Sequence, residues 1–384
     1  MNSRVCLYNQ DNIDKLVLPE TEVGNLIKSY WLPLMKAGSS TFINNVNTQL
    51  LVIAVDDLVL PVTVNSKEWE NSYVCSVYSH YITYSKEELP ILKNPLLEKT
   101  LAQTLNVMGL VLQWGEINQV VIVNNWLLST NLYPDLTTEQ INEITAFLKS
   151  EFSHYAIIFR SINTFIGDEL FNSFQSQGYK MVGSRQIYLL NPKDTSAMRT
   201  KMRWRLKQDT DLIKKQGYEV VDIQKITEAE IPRVVELYND LYLDKYSYNN
   251  PQFNENFVAL ALKTGFLQIQ ALKKNNKIDG VIGFYEINGM MTTPLLGYDR
   301  SLPQDVGLYR MLSALLTIIA TQKEIILHQS SGAASFKRFR GFLANIEYSA
   351  VFYQHLPFKR QLVWRILGFV VNNLAVPLMR KFKL

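Results

Sequence analysis

The chain has 384 residues, of which 47% are hydrophobic and 19% are charged. This composition excludes an intrinsically disordered protein, and the length predicts two domains, each with its own core. The net charge of +4 is too small to indicate a nucleic-acid-binding protein, and the two cysteines exclude a disulfide framework or a cysteine-rich metal site.

In residues 1–194, short apolar runs alternate with segments of helical periodicity. Asp56 and Asp57 join the two apolar runs of residues 49–64, which predicts a β-hairpin. Further strands are predicted at residues 72–84, 119–124, 155–160 and 185–190. Helices are predicted at residues 22–36, 87–107 and 165–177, and after residues 136–138, where Thr138 caps the helix.

Residues 195–216 are strongly basic and end at Gly217. The segment carries the basic residues Arg199, Lys201, Arg203, Arg205, Lys207, Lys214 and Lys215. It predicts a basic helix that links two domains.

After Gly217 the alternation of strands and helices begins again. Strands are predicted at residues 218–223, 266–273, 277–288, 290–298, 324–329 and 346–352, and helices at 229–242, 257–264, 308–323 and 333–342. Asn275-Asn276 and Asn288-Gly289 lie between three consecutive strands, which predicts an antiparallel meander. The order of elements coarsely repeats that of the first half and favours an internal duplication.

A polar, glycine-bearing turn joins the third meander strand to the following helix. It runs from Gln304 to Tyr309, and free backbone amides at such a helix start attract phosphate. Gly307 lets the backbone approach a ligand because it has no Cβ. An ordinary helix cap with no ligand fits the same residues.

With the strand order around it, this turn resembles the acyl-CoA-binding loop of the GNAT (acyl-CoA N-acyltransferase) superfamily, which Gln304 and Gly307 match. A second segment resembles the CelD/BioF2-like and Fem-like branch: Ser331-Gly332, Phe336-Lys337 and Gly341. The resemblance implies a mixed α/β (α+β) fold of tandem GNAT-like domains, each with a mostly antiparallel sheet flanked by helices. The implied domains are residues 1–194 (a degenerate copy), the linking helix 195–216, the catalytic domain 217–358 and a basic amphipathic tail 359–384.

The resemblance implies transfer of an acyl group from acyl-CoA, such as acetyl-CoA, to an amine of a cell-envelope or lipid-linked acceptor. A backbone N–H near residues 296–298 polarises the carbonyl in this superfamily. The implied catalytic residues are Glu286 as base, Tyr353 as acid, and Tyr298 at the strand end. Each also fits a plain reading: Glu286 as a solvated strand residue, and the tyrosines as core or rim aromatics.

The implied donor-binding residues are Gln304, Val306, Gly307, Leu308, Tyr309 and Arg310. The implied substrate-binding residues are Asp299, Ser331, Lys337 and Arg340. The basic residues of this second set equally fit a solvated helix face. His328, in an apolar strand, fits a core position, and the histidines show no metal-ligand spacing, so no metal is expected.

The last segment of the chain concentrates positive charge. From Lys359 onward it has six basic residues and no acidic one. Such a segment indicates an interfacial helix on anionic lipid, with Trp364 as an anchor, or a helix packed on the body of the protein. The N-terminal residues contain no apolar signal core, so a cytoplasmic protein, peripheral on the inner membrane face, is expected.

Two other functions stay open. The first is a Fem-type transferase that uses aminoacyl-tRNA, since Tyr309 replaces the small residue of the CoA loop and the basic helix can hold tRNA phosphates. The second is a GNAT-like protein that only binds, as a scaffold at the membrane. Apart from tRNA in the first of these, no nucleic-acid partner is expected.

Overall fold

Strands and helices alternate along the chain in the computed structural model, which describes residues 4–165, 167–194 and 200–382. The strands are β1 (Val5–Tyr8), β2 (Gln49–Val55), β3 (Leu58–Asn65), β4 (Val120–Val123), β5 (Ala156–Ile162), β6 (Lys180–Leu190), β7 (Glu219–Asp222), β8 (Gln268–Lys274), β9 (Lys277–Ile287), β10 (Met290–Tyr298), β11 (Ile326–His328) and β12 (Leu343–Phe352). The helices are α1 (Glu22–Leu26), α2 (Leu32–Ala37), α3 (Tyr84–Glu88), α4 (Pro95–Trp114), α5 (Thr138–Glu151), α6 (Glu169–Ser176), α7 (Thr200–Lys215), α8 (Ile231–Tyr242), α9 (Glu255–Thr264), α10 (Leu308–Lys323), α11 (Ala334–Arg338), α12 (Phe358–Val370) and α13 (Val376–Phe382). The protein has an α/β fold in which helices flank β-sheet that contains both parallel and antiparallel strands. The predicted fold class is confirmed.

Residue contacts divide the chain into two units. Unit 1 contains the chain up to Gln186, residues 249–252 and the chain from Ile346 onward. Unit 2 contains Ile187–Tyr248 and Phe253–Asn345. The predicted linking helix is α7 and belongs to unit 2, while β12 and the C-terminal helices lie largely or wholly in unit 1. Residue Arg199 of the predicted basic segment lies outside the described residues.

In unit 1 the strand order is β1-β2-β3-β4-β5-β12. The predicted hairpin is confirmed: β2 and β3 pair from Gln49–Val64 to Val55–Leu58, and Asp56 has a φ of 50°. Strands β4 and β5 are parallel neighbours, whereas β5 and β12 are antiparallel. The parallel pair is the feature that positions the loop after β4.

In unit 2 the order is β7-β8-β9-β10-β11, and β11 pairs with the last residues of β6, Leu189 and Leu190. The predicted meander is confirmed, because β8, β9 and β10 are consecutive antiparallel neighbours. Asn275, Asn276, Asn288 and Gly289 at its turns all have positive φ, as type I′ hairpin turns require. Strand β11 then returns parallel to β10.

The predicted strand at residues 72–84 is wrong, since this segment is a turn followed by a helix. The Ser76 hydroxyl accepts a hydrogen bond from the Ser79 amide, and the Asn118 side chain accepts one from the Tyr78 amide. These two acceptors satisfy amides of the first helical turn, which local apolar alternation does not reveal. The next helix begins later than predicted because Asn94 caps it and Pro95 occupies its first position.

The C-terminal helices pack along unit 1. Val363, Trp364 and Leu367 enter its core, and the buried Arg360 guanidinium donates to backbone oxygens that include those of Glu116 and Gln119. Residues Phe358–Lys381 meet the length and hydropathy of a membrane span, with a mean hydropathy of 1.6 and 28% of the window buried. The opposite side of this segment remains exposed.

Candidate active site

The parallel strands β10 and β11 of unit 2 pair only briefly. Their register runs from Met290–Ile326 to Thr292–His328. The residues that follow β11 continue to pair with β6. The Gln329 amide donates to the Tyr188 oxygen, and the Tyr188 amide donates to the Ser330 oxygen. The strands therefore separate, and β10 continues to Tyr298 without β11 beside it.

The sequence of β10 fits this separation. Pro294 has no N–H and lies at an irregularity in the pairing with β9, between Thr292 and Leu295. A proline inside a strand is confined to edges and bulges. Thr293 is buried, and its hydroxyl has no hydrogen-bond partner within the described residues. Strand β10 thus carries a buried polar atom, unpaired within the described residues, next to the last residue that pairs with β11.

Helix α8 covers β10 on one face. A Cβ built on Gly297 would lie 2.5 Å from the backbone carbonyl of Leu237, so only glycine permits this contact. The residues 295–298 pair with β9 on one edge, and β11 has left the other.

The predicted donor-binding turn forms as expected in outline. Gln304–Val306 is a single 3-10 turn, and Gly307 has a φ of 78° before α10 begins at Leu308. The Val306 and Gly307 amides donate to the oxygens of Pro303 and Gln304, so the turn itself uses them. The side of Gly307 where a Cβ would lie faces Leu212 of α7, 3.1 Å away. The amides of the first turn of α10 are the donors left for a ligand.

Aromatic rings flank this helix start. The Tyr309 ring lies 4.7 Å from that of Phe336 and 6.1 Å from that of Tyr298. Burial raises the pKa of the Tyr309 hydroxyl well above its ordinary value, and burial also raises that of Tyr298. Both hydroxyls are therefore protonated at neutral pH and act as hydrogen-bond donors.

Asp209 connects the basic helix to this region. Its buried carboxylate accepts from Nε of Arg310 at 2.7 Å and from Nε of Arg340 at 2.6 Å. The Arg340 guanidinium also stacks 3.5 Å from the centre of the Phe336 ring. One carboxylate and two guanidinium groups leave one excess positive charge beside the first turn of α10.

Lys337 and Ser331 lie together at the turn after β11. Lys337 is buried, and its Nζ donates to the oxygens of Gln329 at 2.6 Å and Ser331 at 2.8 Å. His328 is likewise buried, and its Nδ1 accepts from the Ser330 amide. Lys337 is thus not on a solvated face, and it holds the turn in place.

Asp299 lies at the end of β10 in a network of its own. Its carboxylate accepts from Arg233, Lys277 and Ser301, at 2.5–3.0 Å. Burial by itself would raise the pKa of Asp299, but the hydrogen bonds from Ser301, Lys277 and Arg233 outweigh it and hold the pKa well below its usual range. Its acceptor capacity is largely used inside the protein.

The structure does not bring the three predicted catalytic residues together. Glu286 pairs in register with Met291 at the other end of the hairpin, about 23 Å along the strand from Tyr298, and forms an ion pair with Lys323. Tyr353 belongs to unit 1, where its ring stacks on Trp364 and burial raises its pKa. Of the three, Tyr298 is the one at the strand separation.

Sequence reasoning missed Thr293 and Asp209. Pro294 in a predicted strand was the available signal for the first, because it marks the place where a neighbour leaves. The two acidic residues between the cations of a basic helix, Asp209 and Asp211, were the signal for the second. No group of three or more His, Cys, Asp or Glu side chains that could hold a metal ion occurs within the residues described.

Several solved structures are similar to this chain. L-PGS from Bacillus licheniformis shares 17% identity over 59% of this chain and 77% of that one, with a TM-score of 0.43. FemX shares 8% identity over 60% and 80% of the two chains, with a TM-score of 0.43. A GCN5-related N-acetyltransferase from Kribbella flavida shares 10% over 62% and 83%, with a TM-score of 0.32. No family model and no curated protein matches the chain.

Proposed function

We propose that the chain is an N-acyltransferase that moves an acyl group from acyl-CoA to an amine, at the separation of β10 and β11. The observation that carries this is the short pairing of these strands, which ends at Thr292–His328 and leaves the following residues of β10 unpaired with β11. An unpaired strand edge presents backbone amides to a ligand in fixed positions. The buried, unpaired Thr293 hydroxyl gives the opening a further donor.

In the proposed reaction, the amine nitrogen forms a bond to the acyl carbon, the carbon–sulfur bond breaks to release the CoA thiolate, and the proton that the amine nitrogen loses passes to solvent water. The negative charge that develops on the carbonyl oxygen is stabilised by donors on the β10 edge. Tyr298 and Tyr309 donate hydrogen bonds to the departing thiolate. Because their pKa values are raised and a thiol has a pKa of about 8.5, they stabilise this anion without giving up the proton.

The donor phosphates are proposed to bind at the start of α10. The first-turn amides and the helix dipole favour anions there, and Arg310 and Arg340 add charge that Asp209 only partly neutralises. Arg310 is 40% exposed, so its guanidinium can also reach a ligand.

Calorimetry with CoA and acetyl-CoA tests the donor. Arg310→Gln keeps Arg340 on Asp209 and is expected to weaken CoA binding about fivefold. Arg365→Gln, which changes an exposed arginine in unit 1, serves as the control and leaves binding unchanged. Absence of CoA binding by the wild-type protein would overturn this donor.

Aminoacyl-tRNA is a second candidate donor. Tyr309 packs on Phe336 beside the turn, and Lys201, Lys207, Lys214 and Lys215 are exposed on α7. Exposed cations on one helix suit the phosphates of a long polyanion. Binding of tRNA that falls steeply with salt, together with no binding of CoA, would favour this donor.

Peripheral attachment to anionic membrane is proposed for unit 1. Phe358, Phe369 and Leu374 are exposed along the C-terminal helices, and the exposed Lys359, Arg365, Arg380 and Lys381 are on the same segment. Helix α4 adds the exposed residues Leu96, Val107, Leu110 and Trp114, and Lys359 lies 4.8 Å from the Trp114 ring. Exposed apolar residues with cations around them suit the boundary between headgroups and acyl chains.

Sedimentation with vesicles that contain anionic lipid tests the attachment. Phe369→Ser with Leu374→Ser changes exposed side chains, spares the core, and is expected to lower the bound fraction severalfold. Val17→Ser, at another exposed apolar residue of unit 1, is the control. Equal binding by all three proteins would contradict the attachment.

A further inference from the structure

We propose that unit 1 contains a binding site for a small ligand with one carboxylate or phosphate group, held by Arg160. Arg160 follows the last paired residue of the parallel strands β4 and β5, Phe159. Its side chain is nine-tenths buried. This site is separate from the transferase site and does not depend on it.

Arg160 is a buried cation without an ion-pair partner. Its Nη1 donates to the Val74 oxygen at 2.8 Å and to the Asn125 side chain at 3.0 Å. Nε and Nη2 make no hydrogen bond within the described part of the chain, and no carboxylate there forms an ion pair with Arg160. A guanidinium group with one open edge matches a carboxylate or phosphate in bidentate geometry.

A second arginine nearby is already neutralised. Arg185 forms an ion pair with Glu347, at 2.9 Å, and donates to the Ser129 oxygen at 2.6 Å. Both guanidinium groups act on His80: burial and the charges of Arg160 and Arg185 together lower the pKa of His80 to about 3, against a smaller opposing effect of Glu347. The excess positive charge of this cluster therefore belongs to Arg160.

The surroundings of Arg160 combine buried and half-buried aromatic side chains. The Tyr73 ring lies 5.7 Å from the guanidinium carbon, and Tyr84 packs edge-on against Tyr73. His80 and Tyr84 are half-buried and so keep contact with solvent. Desolvation raises the pKa of the nearby Glu88 carboxyl to about 7, against the opposing charge of Arg185. An anionic group at Arg160 would leave the rest of the ligand along these aromatic rings.

Titration calorimetry on the full chain with inorganic phosphate and, separately, with acetate tests this site, against sodium chloride at equal ionic strength. Phosphate or acetate is expected to bind the wild-type protein, and the stronger of the two identifies the anionic group. Arg160→Gln removes the guanidinium group and keeps a polar side chain, and it is expected to weaken that binding at least tenfold. Arg365→Gln, an exposed arginine of unit 1, leaves it unchanged.

Thermal unfolding in chloride separates binding from structure. Removal of an unpaired buried charge is expected to leave the midpoint of Arg160→Gln equal to or above that of the wild type. Equal anion binding by Arg160→Gln and the wild type, or heats no larger than those of chloride, would overturn the site. A midpoint lowered by several degrees would also overturn it and make Arg160 a structural residue.

Discussion

Two parallel strand pairs among the described residues, β4–β5 in unit 1 and β10–β11 in unit 2, end in opposite ways. After β4, residues 124–132 fold into the unit, and Trp126, Leu127 and Leu128 are fully buried. After β10, residues 299–307 form a polar turn in which Ser301 and Pro303–Asp305 are exposed. The same strand arrangement is thus filled by its own loop in one unit and left open in the other.

Hydrogen bonds explain why the loop of unit 1 stays in place. The Asn131 amide donates to the Ser161 hydroxyl at 3.0 Å, and the Tyr133 hydroxyl donates to the Arg160 oxygen at 2.6 Å. These bonds occupy groups just beyond the last paired residues of β5. The residues of the loop after a parallel strand therefore determine whether that loop is buried, as after β4, or lies at the surface, as after β10.

The largest effect is expected from removing a large buried side chain of residues 124–132, the loop that follows β4 in unit 1. Trp126→Ala removes a fully buried indole and its hydrogen bond to Asn124, and should lower the free energy of unfolding by about 4 kcal/mol. Urea unfolding followed by circular dichroism measures this. Trp204→Ala, at a tryptophan 56% exposed on α7, should change it by less than about 0.5 kcal/mol. A loss below about 1 kcal/mol for Trp126→Ala would mean that the loop does not fill the core.

The stability of the region at the start of α10 in unit 2 depends on paired charges. Asp209→Asn leaves Arg310 and Arg340 without their carboxylate, and should lower the free energy of unfolding by about 3 kcal/mol. Asp211→Asn, at an exposed position of the same helix, is the matched control. Similar midpoints in urea for both variants would show that the buried carboxylate does not hold this region together.

At the separation of β10 and β11, a substitution should lower the activity and leave the stability of the protein nearly unchanged. Thr293→Val removes an unpaired buried hydroxyl, so the fold should tolerate it, while kcat for acyl transfer falls about tenfold, or about 1.4 kcal/mol. Thr317→Val is the control, because that hydroxyl is buried and bonds only to the Ser313 oxygen of its own helix. Equal kcat values for the two variants would place the chemistry elsewhere.

Over a single pH unit, the smallest effect concerns the acid sensitivity of unit 1. The folded pKa of His80 is about 3, below the unfolded value of about 6.5, so the unfolded state binds the proton first as pH falls. Stability should therefore decrease between about pH 6.5 and pH 3, with a slope of at most about 1.4 kcal/mol per pH unit. His80→Gln should flatten this slope in urea unfolding at several pH values. An unchanged slope would mean that His80 is protonated in the folded protein.

Local patterns predicted much of the fold and part of the site. The meander, the hairpin at residues 49–64 and helix α10 follow from turn residues and periodicity, which are properties of neighbouring residues. Burial of Arg160 and the ion pairs of Asp209 depend on residues far away in the chain, and no local pattern contains them. The helical segment after Ser76 was missed for the same reason, since Asn118 supplies one of its capping acceptors.

The route of the chain between the units also bears on biosynthesis. Strand β12 pairs with β5, and Trp364 completes a core formed by residues synthesised much earlier. Unit 1 therefore cannot finish folding until the final helices have left the ribosome, whereas most of unit 2 emerges before them. On a translating ribosome, the residues of unit 1 that pack in one core with Trp364, such as Ile82 and Leu112, wait for partners about 250 residues or more further along the chain, whereas β1 pairs early with β2. A stop codon before Ile346 would deprive unit 1 of a strand as well as its last helices.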